Sequence, residues 1–157
     1  MENDTNYYTR DESEPQPEKE AVTTLGHLRA PTILDLDGES IVLRTHLGIG
    51  LKIERKTKTT LMDYMYNMDR ISLEQALAIL AIAADRDTEN FKDRILRQDD
   101  YTGLIEKATD VLLGIAFPGD LEASEKKLEK FGMDEYTKNE IRARLGIPQK
   151  DLTGLLY

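Results

Sequence analysis

The stretch ISLEQALAILAIAAD, residues 71–85, constrains this fold more than any other. Ser72 and Gln75 have the spacing of a capping box, which starts a helix by satisfying two of its free amides. On a 3.6-residue period Leu73, Ala76, Leu77, Leu80 and Ala84 fall on one face, and Ile79 and Ile82 fall on the other. A helix that is apolar on both sides has to be surrounded. The chain must therefore supply further helices to wrap it.

The flanking sequence offers them. Thr45 reads as the N-cap of HLGIGLKIERKT, where Leu47 and Leu51 share a face, with Ile53 or Glu54 following. Gly48 and Gly50 each weaken that helix by about 1 kcal/mol relative to Ala and mark a bend or a close approach. In TTLMDYMYNM, Leu61, Met65 and Met68 are in register. Thr88 caps TENFKDRILRQ, with Phe91 and Ile95 inward. Asp99 or Asp100 caps YTGLIEKATDVLLGIAF, whose Leu104, Ala108, Val111, Leu112 and Ile115 form one stripe, ended by Pro118-Gly119. A charged helix, LEASEKKLEKF, stops at Gly132. In the last unit, TKNEIRARLGIPQKDLTGLLY, Thr137 and Glu140 read as a capping box and Gly146 as a stop.

One β element precedes the helices. In LDLDGESIVLR, residues 34–44, Asp37-Gly38 is a hairpin signal, because a type I′ turn needs positive φ at both central residues. Ile33 with Leu34 or Leu36 is expected to face inward, and Ile41 and Leu43 on the return strand; Ile33, Ile41 and Leu43 should pack on the Ala-rich helix. A lone hairpin is marginal in water, so it needs a helical floor or a second chain's sheet, which leaves a homo-oligomer open.

The expected fold is mainly α: an N-terminal β-hairpin on a bundle of about five helices, then a C-terminal helical hairpin, with α+β as the alternative. Residues 1–22 are expected to be a disordered acidic arm, 23–119 the hairpin plus helical core, and 120–157 the αα-hairpin. Residues 1–22 hold seven acids against Arg10 and Lys19, within a total net charge of −9. The arm could order on a basic partner surface, anchored by Tyr7 and Tyr8. The overall sign repels DNA, whose binding rests on phosphate neutralisation. The acidic N-terminal stretch lacks the apolar core of a signal peptide, and no apolar run nears the roughly 20 residues of a membrane span, so a cytoplasmic protein is expected.

Little in the sequence points to catalysis. There is no Cys, which removes thiolate nucleophiles and thiolate metal sites. His27 and His46 are the only histidines, and neither sits at helical spacing from a carboxylate pair. LGIGL lacks the third glycine and the Lys-Ser/Thr ending of phosphate loops. DLDGES has acids but not calcium-loop spacing, since Gly38 directly follows the second Asp. We therefore expect a non-enzyme with no catalytic residue, no cofactor and no metal. Lys52, Arg55, Lys56 and Lys58 form a local basic patch, readable as a solvated face or as a docking face for an acidic partner helix.

The pieces DGESIVLR, LKIERKTKTTLMDYM, ISLEQALAILAIAA and LIEKATDVLLGIAF, about half of the chain, resemble the tail assembly chaperones of long-tailed bacteriophages and their gene-transfer-agent relatives. Lys58 stands where that family often has Gly. The resemblance implies a chaperone that binds the tape-measure protein, keeps it soluble and helps recruit tail-tube subunits in the host cytoplasm. Met62, Met65 and Met68 would then suit an adaptable groove, because thioethers repack around varied partners, although they serve equally as core. A structural connector or another minor tail or neck protein of the virion is the alternative. The C-terminal unit also resembles a helix-turn-helix, with helices at 137–145 and 148–156 and Arg142 where that motif usually has Ala. That implies a DNA-binding regulator, which the net charge opposes.

Overall fold

The computed structural model describes residues 30–153. The acidic segment 1–22 with Tyr7 and Tyr8, together with His27 and residues 154–157, lies outside them. Strands β1 (Ile33–Leu36) and β2 (Glu39–Val42) come first. Seven α-helices follow among the described residues: α1 (Leu47–Thr57), α2 (Leu61–Tyr66), α3 (Leu73–Ala83), α4 (Glu89–Leu96), α5 (Tyr101–Ala116), α6 (Leu121–Glu129) and α7 (Glu135–Leu145). The fold is mainly helical with one antiparallel hairpin, as the sequence led us to expect.

Helix α3 is central. Its capping box forms, with Ser72 accepting from the Gln75 amide at 3.1 Å and Gln75 accepting from the Ser72 amide at 2.9 Å. Every residue from Ala78 to Ala83 is buried. α5 packs along α3, α1 packs on both, α4 lies on α3, α2 on α5, and α6 pairs with α7. The α5 stripe, Leu104 through Ile115, is buried as expected, and so are Phe91 and Ile95 of α4. Leu128, Ile141, Leu145 and Ile147 from the C-terminal part join the same buried cluster.

The hairpin turns through Asp37 at φ 51° and Gly38 at φ 81°, the two positive values a type I′ turn requires. Its register pairs Leu36 with Glu39, Leu34 with Ile41 and Ile33 with Val42. Directly opposed residues share a face. Leu34, Leu36, Ile41 and Leu43 therefore point into the core, and all four are buried. Ile33, expected inward, instead shares the outer face with Asp35, Ser40 and Val42 and is half-buried; side chains alternate along a strand, so it cannot join Leu34 and Leu36. The base of the hairpin meets α3 where the Arg44 amide donates to the Ala83 carbonyl at 2.8 Å. The tip leans on α4. Glu39 on the inner face accepts from Arg86 at 2.7 Å and Arg94 at 3.1 Å, and both guanidinium groups lie over the Phe91 ring.

Three boundaries differ from the sequence reading. Thr45 does not cap α1; the N-cap is His46, with no side-chain cap bond. Thr45 is used elsewhere, against Gly114 of α5, where an added Cβ would lie 2.9 Å from Thr45 Cγ2. α7 starts earlier than Thr137, because Asp134 is its N-cap and accepts from the Thr137 amide at 2.7 Å. That bond holds the Asp134 carboxyl below its usual range. The second helix expected at 148–156 is not present over 148–152. Asn139 takes both backbone groups of Lys150, donating to its carbonyl at 2.8 Å and accepting from its amide at 2.9 Å, so neither group is left for a helix. The C-terminal helical hairpin exists, but α6 and α7 form it.

Candidate functional site

Helix α1 determines the candidate site. Its buried face is Ile49, Gly50 and Ile53. Gly50 permits the close approach, since an added Cβ would lie 3.1 Å from both Ile115 Cγ2 and Leu61 Cδ1. Packing through that narrow face turns Leu47 and Leu51 outward, 73% and 47% exposed. The two leucines do share a face, as their spacing led us to expect, and that face is the outer one. Two stripes competed in this helix, and the one with a glycine on it came closer to α5.

On the outer surface Leu47, Leu51 and Arg55 follow one another at i, i+4 and i+8, with Lys52 and Lys56 on the adjoining row. Arg55 and Lys56 occupy the last turn, where cations face the negative end of the helix dipole. α1 ends at Lys58, which adopts a left-handed conformation at φ 58° and donates its amide to the Glu54 carbonyl at 2.9 Å. Glu54 also accepts from the Leu61 amide at 2.7 Å, fixing where α2 departs.

Between α1 and the end of α3 lies a groove of about 420 Å³, lined by Lys52, Arg55, Lys56, Ile82, Asp85 and Asp87. Lys56 also borders a second groove of about 570 Å³, which runs past Thr57, Gln75 and Leu77 to Lys92. The floor offers apolar surface and the α1 wall is cationic. The acids of the opposite wall already have cations: Asp85 faces Arg44 at 3.7 Å, and Asp87 faces Lys92 at 3.3 Å and Lys56 at 3.9 Å. Lys52, Arg55 and Lys58 have no ion-pair partner among the described residues.

The sequence-derived candidates thus separate into two groups. Lys52, Arg55 and Lys56 come together on the groove, and Lys58 is exposed at the helix end. Met62 is 53% exposed, but Met65 is 2% exposed and belongs to the core, and Met68 packs partly buried against it. Met65 sits on the inner face of α2 beside the buried Tyr64 and is closed to a partner. The opposite wall, Ile82 with Asp85 and Asp87, carried no signal in the sequence, because only the turn after α3 brings it across from α1. The exposed leucines did leave a trace, since the glycine at position 50 marks the other face as the tight one.

The acids of the hairpin do not converge. Asp35 accepts from Ser40 at 2.6 Å, Asp37 faces Arg94, and Glu39 is held by two arginines. His46 is exposed. Among the described residues no group of three or more His, Asp or Glu side chains is placed to hold a metal, and no helix is long and apolar enough to cross a membrane. What the arrangement offers is a cationic wall beside apolar surface, suited to an acidic, partly apolar segment of another chain. No protein-family model, curated protein or solved structure matches this chain.

Proposed function

We propose that this protein is a non-catalytic binding factor that holds an acidic amphipathic helix against α1. More specifically, we propose that it acts as a tail assembly chaperone of a long-tailed phage and holds segments of the tape-measure protein until the tail tube forms around it. The observation that carries the binding reading is the α1 surface itself. Leu47 and Leu51 stand exposed in one row, next to a groove whose wall is Lys52, Arg55 and Lys56. Exposed apolar side chains at i, i+4 spacing flanked by cations, of which Lys52 and Arg55 have no ion-pair partner among the described residues, are the counterpart of a helix with an apolar stripe and acidic edges. The order of hairpin, Ile-Glu helix and small-residue helix supports the assignment to tail assembly.

Co-expression with a tape-measure protein tests this. The intact chain should raise the soluble fraction of that partner, and Leu47→Glu/Leu51→Glu should abolish the gain while the variant itself stays folded. No gain with the intact chain refutes the chaperone role. A gain that survives the double substitution moves the contact away from α1. Finding the protein in stoichiometric amounts in purified particles would instead make it a structural connector.

A further inference from the structure

The geometry points to residues 1–22 of this same chain as the resident occupant of the basic groove, docked there through their acids and displaced when another acidic segment binds. This inference rests on the groove and the sequence, and does not depend on the tail-assembly reading.

Charge favours this occupant. Lys52 and Arg55 line the groove with no ion-pair partner among the described residues, while Asp85 and Asp87 opposite are already matched. Residues 1–22 carry seven acids and two bases. The groove and the segment therefore complement each other in sign, and at contact distance such pairs are screened least.

The start of the described chain lies close to the groove. The Thr32 carbonyl accepts from the Leu43 amide at 2.9 Å, and the next amide, Arg44, donates to Ala83 at the end of α3. Ile82, one residue earlier, lines the groove, and Asp85, two residues later, lines it as well and faces the Arg44 side chain. Thr32, near the first described residue, thus lies beside the end of α3 that borders the groove. From residue 30 back to residue 22 the chain can span up to about 27 Å, and α1 is about 16 Å long. Reach within one molecule is ample.

Tethering also raises the effective concentration. A segment tethered this close competes at about millimolar local concentration, so weak ion pairs suffice for occupancy and an incoming partner must exceed that threshold. The acidic segment would then raise the selectivity of the groove by excluding weak ligands.

The chain has no Cys, so Ser13→Cys in the full-length protein gives a single attachment point for a spin label. Paramagnetic broadening of backbone amides at Lys52–Lys56 and Asp85–Asp87 at low salt, relieved at high salt, is the expected result. Lys52→Glu/Arg55→Glu/Lys56→Glu should remove the broadening, and adding Asp11→Lys/Glu12→Lys/Glu14→Lys should restore it. The salt series on the unreversed chain needs no groove substitution, so a misfolded variant does not decide the outcome. Amide intensities in the groove that never change would overturn the proposal. So would broadening that appears only after spin-labelled chains are mixed with isotope-labelled, unlabelled-spin chains, since that places the segment on a second copy.

Discussion

Arg86 Nη2 donates to Glu39 Oε2 at 2.7 Å, closing a contact between residues 47 positions apart and tying the hairpin to the turn after α3. Arg94 reaches the other carboxylate oxygen at 3.1 Å. The pair sits at the rim, with Glu39 about two-fifths exposed, and the two guanidinium groups stack on the buried Phe91. A hairpin too short to stand alone is thus held by apolar burial beneath and by ion pairs at its edge.

The bonds from Arg86 and Arg94 lower the Glu39 pKa from 4.5 to about 2. A carboxylate whose pKa is depressed on folding contributes stability that is complete above its unfolded value and is lost as pH falls through the folded one. The Glu39 contribution should therefore disappear between about pH 4.5 and pH 2. Glu39→Gln should lower the melting temperature at neutral pH and flatten its fall across that acid window. A variant whose acid profile parallels the parent's would show that the ion pairs add nothing.

Arg142 is fully buried, with Nε 2.8 Å from Glu125 Oε1 and Nη1 2.9 Å from Asn139 Oδ1. Truncation removes both guanidinium bonds to Glu125 and one of the two donors to Asn139 Oδ1, which keeps the Lys150 amide. Arg142→Ala should cost about 3 kcal/mol, the range for breaking a buried pair by removing one partner. Adding Glu125→Ala should recover part of that loss, and urea unfolding of the double-mutant cycle measures it.

Two glycines in α1 should respond oppositely to alanine. At Gly50 the new methyl meets Ile115 and Leu61 at 3.1 Å inside the core, so Gly50→Ala should destabilise by about 1–2 kcal/mol. At exposed Gly48 it meets only the His46 ring, which can rotate away, and the gain in helix propensity should stabilise by up to about 1 kcal/mol. Thermal unfolding of the two single variants checks the signs.

Gly38 has open space around it, so its substitution isolates the backbone requirement of the turn. Gly38→Ala should cost about 1 kcal/mol for the left-handed conformation alone, and Asp37→Ala should add the loss of its contacts to Arg94 and Gln98. The double variant should melt several degrees lower while keeping its α1 surface intact, as binding of an acidic peptide would report.

Much of this architecture was legible because the deciding interactions are local. The Asp37-Gly38 turn, the Ser72–Gln75 box, the Thr88 and Asp100 caps and the Gly146 stop each depend on residues within a few positions. The misreadings occurred where two local solutions were nearly equal. Ile33 and Leu34 are both apolar neighbours, and only the hairpin register separates them. Thr137 and Asp134 could each cap α7, and the carboxylate, which also favours the positive helix end, takes the role.

By itself, then, the sequence determined that α3 is central and that one hairpin precedes a helical bundle, because periodicity and capping act through neighbouring residues. It also placed Lys52, Arg55 and Lys56 on a common surface. The tertiary structure alone decided which face of α1 is buried. That choice came from the closeness of Gly50 to Ile115, a contact between helices whose partner the glycine itself does not specify. It turned Leu47 and Leu51 outward and set Ile82, Asp85 and Asp87 across from the basic row to make a groove, while the packing of α2 on α5 buried Met65. Helices form from short-range bonds, whereas a groove exists only where two of them pack at a particular rotation.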